Sequence, residues 1–272
     1  MIVACWRVLY GEDWIVQSLR SVLPFVDRAI IFWSDRPWGE AKEVTYLGQT
    51  VPIPWHEGKP FDGWVDRIRE QGFDPKPEIE QFQFHHPSPK GYWTAAINGR
   101  FHDAIPDTLL LLECDHVWDG KQLDAALREF RANKYRAATS RQVEMWKGFD
   151  WRVPERPNRT GTVFWNGKGM RTFPPTRSQG EPTGTDFHLI SAHVHNLGFC
   201  VSEKTMLMKH LTALAFSKGI GDSKPKERWF EDVWRKWEPG MEDLEIAEAW
   251  AHSIPRAIPY DRSQVPEVLR VP

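Results

Sequence analysis

The sequence predicts an α/β protein whose mostly parallel central sheet is flanked by helices. Two observations carry this prediction. Segments of strand length alternate with segments of helical periodicity through residue 145, which is the pattern of a parallel α/β sheet. Residues 29–33 and 109–112 are apolar without interruption, as expected for strands covered on both faces. With 272 residues, the chain is long enough to bury a sizeable core.

The first elements form a strand, a helix and a second strand. The β-rich run 2–8 predicts the first strand. A helix over 12–23 is predicted next, because apolar residues such as Ile15 and Leu19 recur at helical spacing. The apolar run 29–33 then predicts a strand beside the first one.

The middle of the chain continues the alternation. Prolines at 52 and 54 make 50–54 an edge strand, since proline cannot donate to a ladder. Helices are predicted over 61–71 and 91–105, and 79–84 alternates like a strand. Residues 108–112 predict the central buried strand.

The last predicted elements fall into two groups. A helix over 121–133 and a strand over 136–145 complete the regular alternation. Beyond them the pattern changes to a looped C-terminal region that is rich in proline, glycine and arginine. The elements predicted there are a short strand at 162–165, one or two strands over 187–201 and a helix over 204–218.

Composition excludes several classes. The formal charge of −2 gives no support for a strong polyanion-binding surface. Three cysteines without a C-x-x-C pair make a disulfide framework or a structural zinc knuckle improbable, and no apolar run approaches the length of a membrane span. We therefore expect a protein of the reducing cytoplasm.

Polar residues at the carboxyl ends of the strands are the first candidates for chemistry, because ligands of open α/β sheets bind there. Glu113 and Asp115 leave the central strand two positions apart. Two buried carboxylates need neutralisation, and a divalent cation that bridges to a phosphate supplies it. The alternative is that one of them caps the helix that begins near Lys121.

The stretch from residue 96 to 115 resembles the central motif of family 2 glycosyltransferases of the GT-A fold. That motif reads A-R-N-x-G, then A-x-G-D, an apolar run and D-x-D. The matching positions are Ala96, Asn98, Ala104, Asp107, the run 109–112, Glu113 and Asp115. The departures are Ile97, Arg100, Pro106 and Glu113, which stand where the family has Arg, Gly, Gly and the first Asp.

Two further blocks resemble the same family. Residues 14–31 resemble its opening helix and second strand, after which Asp35 stands where the family has an Asp that binds the base or ribose. The alternative for Asp35 is a structural turn. Residues 195–199 resemble a late H-x-x-G-aromatic stretch, in which the histidine completes a metal site; His195 is that residue here, with His193 next.

The resemblance implies one GT-A-like domain over 1–272, with a nucleotide-sugar half (1–145) and an acceptor half (146–272). It implies a metal-dependent glycosyltransferase that uses a nucleotide-diphosphate sugar and a divalent cation, Mn²⁺ or Mg²⁺. The acceptor would be a glycan, a small molecule or a modified DNA base. The implied metal ligands are Asp115 and His195, and the implied donor-binding residues are Tyr10, Glu12, Asp35, Asn98, Glu113 and Lys209.

An inverting enzyme also needs a carboxylate that accepts the proton of the acceptor hydroxyl. The candidates are Glu144 at the end of a predicted strand, which is favoured by that position, Asp186 before the late strand, and Asp222; each has an alternative interpretation as a surface or capping residue. Lys209 could equally be a solvated lysine on a helix.

Three other functions stay open. A phage-type transferase that glycosylates a hydroxylated DNA base would use the arginines and tryptophans between residues 141 and 177. A non-catalytic nucleotide- or glycan-binding relic of the fold would bind without turnover. A nucleotidyltransferase would share the acidic motif and release pyrophosphate.

Overall fold

The computed structural model describes residues 1–8, 13–33, 41–53, 63–81, 96–155, 160–170, 187–216, 226–245 and 256–270. A central sheet flanked by helices confirms the predicted α/β class. The strands are β1 (Ile2–Val8), β2 (Arg28–Trp33), β3 (Glu43–Tyr46), β4 (Gln49–Pro52), β5 (Glu78–Gln81), β6 (Thr108–Glu113), β7 (His116–Val117), β8 (Ala137–Trp146), β9 (Trp151–Arg152), β10 (Thr160–Asn166), β11 (Phe187–Phe199) and β12 (Ile258–Pro259). The helices are α1 (Ile15–Val22), α2 (Trp64–Glu70), α3 (Gly120–Ala132) and α4 (Glu203–Phe216).

The sheet has a parallel half and a mixed half. Its strand order is β12-β9-β8-β10-β6-β1-β2-β5. Neighbours among β6, β1, β2 and β5 are all parallel. β10 is antiparallel to both of its neighbours, β6 and β8. Off this path, β11 pairs parallel with β8 and antiparallel with the two-residue β7.

Alternate residues of β1 enter two different cores, as the period of a strand requires. Ala4 and Trp6 pack with residues of α1, α2 and α3, whereas Val3 and Cys5 pack with the short helical stretch 96–100 and its neighbours. All four are fully buried. Helices therefore cover both faces of the parallel half.

The start of α3 decides one alternative left open by the sequence. The Asp119 side chain accepts hydrogen bonds from the backbone N–H groups of Lys121 and Gln122, at 3.0 and 3.2 Å. Asp119 is therefore the N-cap of α3. Neither Glu113 nor Asp115 has that role.

The edge strand predicted at 50–54 is present as β4, which pairs with β3 in a separate two-stranded sheet. One predicted helix differs from the structure. The helix predicted over 91–105 ends at residue 100 in the part that the structure describes. Pro106 explains why the helix does not continue through Ile105, since the residue before a proline disfavours helical geometry. Among the described residues, no helix combines the length and the apolar character needed to cross a membrane.

Candidate functional site

The carboxyl ends of β1 and β6 meet at a topological switch point of the sheet. β1 lies between β2 and β6 and is parallel to both. The chain passes from β1 to β2 on one side, and the later strand β6 lies on the other side. Ligands of open α/β sheets bind in the crevice that such a reversal leaves beyond the strand ends. The residues at the carboxyl ends of β1 and β6 therefore form the candidate site.

Arg7 and Glu113 close the two strands with an ion pair. They are register partners on the β1–β6 ladder. Arg7 Nε donates to Glu113 Oε2 at 2.8 Å, and Arg7 Nη2 donates to Glu113 Oε1. The two side chains are 11% and 23% exposed, so the pair is largely withdrawn from water. Two parallel hydrogen bonds of this kind fix the carboxylate in one orientation.

Asp115 and Lys209 form a second ion pair beside the first. Lys209 lies on α4, and its Nζ donates to Asp115 Oδ2 at 3.2 Å and to the Gly198 carbonyl at 3.4 Å. Asp115 is only 7% exposed. Burial acts to raise the pKa of Asp115, but the charge and hydrogen bond of Lys209, together with His116 and a backbone hydrogen bond, lower it overall. Burial likewise acts to lower the pKa of Lys209, but the charge and hydrogen bond of Asp115, together with smaller contributions from neighbouring groups, raise it overall. Both groups are therefore charged.

Gly198 allows β11 to approach Asp115 closely. A Cβ atom at this position would lie 2.9 Å from Asn196 Oδ1 and 3.1 Å from Asp115 Oδ2. The Asn196 side chain accepts a hydrogen bond from the Gly198 N–H at 2.8 Å, and the Asp115 carbonyl accepts one from Leu197. Absence of a side chain at Gly198 thus leaves the room in which Asp115 meets Lys209.

His116 and Glu144 share the side of β11 on which Asn196 lies. Asn196 is the register partner of His116 on β7 and of Glu144 on β8, and register partners point to the same face of a sheet. His116 Nδ1 accepts a hydrogen bond from the Glu113 N–H at 3.3 Å. Burial lowers the pKa of His116, so its ring is neutral. The candidate base Glu144 is also buried, at 8% exposed.

His195 is directed away from this group. It is adjacent to Asn196 on β11, and successive side chains of a strand point to opposite faces. Its Nε2 lies 2.8 Å from the Tyr260 hydroxyl, and its ring is 5.5 Å from that of His193. Burial, aided by the charge of His193, lowers the pKa of His195 to about 3. The structure therefore brings His195 to Tyr260 rather than to Asp115.

A divalent cation at Asp115 does not fit the described residues as they stand. Mg²⁺ and related ions require several oxygen ligands. Glu113 already binds Arg7 with both oxygens, and Asp115 binds Lys209. Within the described ranges, no three His, Cys, Asp or Glu residues are grouped so that they could hold a metal ion. Arg7 and Lys209 thus occupy the two carboxylates to which the predicted cation would bind.

Of the other predicted site residues, Asn98 is the one that lies among the described residues. It is half-buried in the helical stretch 96–100. Tyr10, Glu12, Asp35, Asp186 and Asp222 lie outside the described residues.

Sequence reasoning gave no role to three residues of this region, Arg7, Asn196 and Tyr260, although the first two lie in stretches that it singled out. Arg7 had a signal, because it ends an apolar strand next to the predicted central one. Asn196 had a weaker signal, since it follows His195 in the late motif. Tyr260 had none, because its contact with His195 joins positions that are 65 residues apart.

No family model matches the sequence, and no curated protein matches it. Similar solved structures include a fragment of S. aureus TarS in complex with UDP, which is 10% identical with a TM-score of 0.46. That match covers 79% of this chain and 64% of the TarS fragment, so the chain spans less than two thirds of its length. HddC from Yersinia pseudotuberculosis is 11% identical with a TM-score of 0.41, and 80% of this chain and 99% of HddC are covered. The inositol-1-phosphate CTP transferase from T. maritima is 8% identical with a TM-score of 0.41, and 80% and 97% are covered. Likenesses at this level assign no family to the chain.

Proposed function

We propose that this protein is a glycosyltransferase that moves a sugar from a nucleotide-diphosphate sugar to an acceptor hydroxyl. One observation carries the proposal: Arg7, Glu113, Asp115 and Lys209 form two adjacent ion pairs at the switch point of the sheet. The resemblance of residues 96–115 to the glycosyltransferase motif supports it, because Glu113 and Asp115 are the residues of that motif that would face the donor.

The proposed chemistry follows from the leaving group. A nucleoside diphosphate departs with developing negative charge, and preorganised cations aimed at that charge stabilise the transition state. The Lys209 side chain is 28% exposed, so it is not completely enclosed by the protein. Tyr10, Glu12, Asp35 and Asn98 stay predictions for the base, ribose and sugar of the donor.

The proton of the acceptor hydroxyl needs a base if the reaction inverts the anomeric centre. We propose Glu144 for this role, with Asp222 as the second candidate. Glu144 shares a face of the sheet with Asn196, which lies close to Asp115. An acceptor bound on that face would have its hydroxyl beside the donor.

The test is a thermal-shift screen of nucleotide-sugars, each with manganese and with EDTA, followed by assays of the products. Ligands that bind the native state raise its melting temperature. A hit should release a nucleoside diphosphate when an acceptor is present. Asp115→Asn should abolish the shift, whereas Asp124→Asn, which removes a surface carboxylate paired with Arg128 at 2.9 Å, should preserve it.

Each competing function has its own outcome in this test. Release of pyrophosphate would identify a nucleotidyltransferase instead. Turnover only with DNA that carries a hydroxylated base would identify the DNA-modifying transferase. Binding without any turnover, across varied acceptors, would favour the non-catalytic module.

A further inference from the structure

Among the described residues, each of the two carboxylates at the strand ends is paired with one basic side chain. Glu113 and Asp115 each contribute one negative charge, and Arg7 and Lys209 each contribute one positive charge. Two carboxylates and one divalent cation would give the same formal sum of zero. The two basic side chains thus carry the charge that the sequence motif leads one to expect from a metal.

Lys209 has the geometry of a group that can bind a ligand as well as hold Asp115. An ammonium has three donors, and Lys209 uses two of them on Asp115 and Gly198 among the described residues. Its side chain is 28% exposed, whereas that of Asp115 is 10% exposed. The third donor has no partner among the described residues and is available to a ligand oxygen while the contact with Asp115 is kept.

We infer that Lys209, together with Arg7, takes the place of the divalent cation, so that the site binds the diphosphate of its donor without a metal. This inference rests on the proposed function. Lys209 is then a binding residue with a defined partner, and Asp115 positions it. The competing interpretation is a structural ion pair that never touches a ligand.

The experiment measures binding of the five common nucleoside diphosphates to the full chain, by calorimetry and thermal shift, in EDTA and in manganese. The inference predicts equal affinity in the two buffers for the diphosphate that binds. Lys209→Met should raise the dissociation constant by about tenfold or more in both buffers, because it removes a charge-assisted hydrogen bond.

Lys236→Met is the matched control. Lys236 pairs with Asp232 at 2.9 Å on the surface, so the variant loses the same kind of ion pair away from the strand ends. Its affinity for the diphosphate should equal that of the wild type. Unchanged affinity of Lys209→Met would overturn the inference, as would binding that appears only with manganese.

Two further variants keep the test decisive if Lys209→Met does not fold. Lys209→Arg retains the positive charge and should bind in EDTA. The double variant Asp115→Asn/Lys209→Met removes both charges, so that no buried carboxylate is left without a partner, and it should not bind. Binding by the double variant as tight as that of the wild type would overturn the inference.

The outcomes separate the two proposals. Binding confined to manganese refutes the role of Lys209 and leaves the proposed function standing. Absence of binding by any nucleoside diphosphate and any nucleotide-sugar, in both buffers, refutes both.

Discussion

Arg7 and Glu113 are register partners at the ends of two adjacent parallel strands, and their side chains form a two-point ion pair there. The sheet itself sets this contact, because parallel pairing of β1 with β6 brings both side chains to one edge. The first prediction tests how strongly the pair is coupled.

Arg7→Met and Glu113→Gln should each lower the free energy of unfolding by about 2 kcal/mol, because each removes one half of a largely buried ion pair. The double variant should lose clearly less than the sum of the two single changes. Urea denaturation of the four proteins measures this cycle. Strictly additive losses would show that the contact contributes no coupling.

Gly198→Ala should disturb the candidate site while the fold is retained. A Cβ at Gly198 would lie 2.9 Å from Asn196 Oδ1 and 3.1 Å from Asp115 Oδ2, both shorter than van der Waals contact, so these side chains must move. We expect Gly198→Ala to need about tenfold more nucleotide-sugar than the wild type for the same thermal shift, which corresponds to a loss of about 1.4 kcal/mol of binding free energy.

The control is Gly148→Ala, since a Cβ at Gly148 meets no atom within 4 Å. Circular dichroism of both variants establishes that they fold. Equal ligand response of Gly198→Ala and the wild type would mean that the position of Asp115 does not matter for binding.

The three cysteines should be inert in the native protein. Cys5 and Cys114 are buried, and burial raises the pKa of the Cys200 thiol to about 12. Only thiolates react with disulfide reagents. Labelling with such a reagent near about pH 8 should therefore be slow for the native chain and should reach three thiols after unfolding in guanidinium chloride. Rapid labelling of Cys200 in the native protein would contradict the raised pKa of its thiol.

Much of the sheet could be predicted because its strands carry a local signal. The runs that became β1, β2 and β6 are apolar on both faces, and their predicted bounds agree with the structure to within one residue. The prolines also indicated the edge strand β4, but its partner β3 was not predicted, because β3 has no clear pattern of its own.

The candidate site was predictable at Glu113 and Asp115 and less so around them. Their position after an apolar strand is visible in the sequence. Their partners are not, because Arg7 and Lys209 are 106 and 94 residues away and meet them only through the sheet topology and the packing of α4. The motif therefore predicts the two carboxylates, but it does not predict which positively charged groups neutralise them.

His195 should make stability fall at acidic pH. Its pKa in the folded protein is about 3, because it is buried and lies near His193, against an ordinary value of 6.5. Between these values the unfolded chain binds a proton that the folded chain does not, so stability rises with pH in this window. The stabilisation is complete above about pH 6.5 and is lost as the pH falls below it, by up to about 1.4 kcal/mol per pH unit.

Chemical denaturation of the wild type and of His195→Gln between about pH 7 and pH 4.5 measures how steeply the free energy of unfolding depends on pH. The variant should show a shallower pH dependence, whereas His102→Gln, which replaces an exposed histidine, should keep the slope of the wild type. Identical slopes for His195→Gln and the wild type would show that His195 takes up its proton without disturbing the contact with Tyr260.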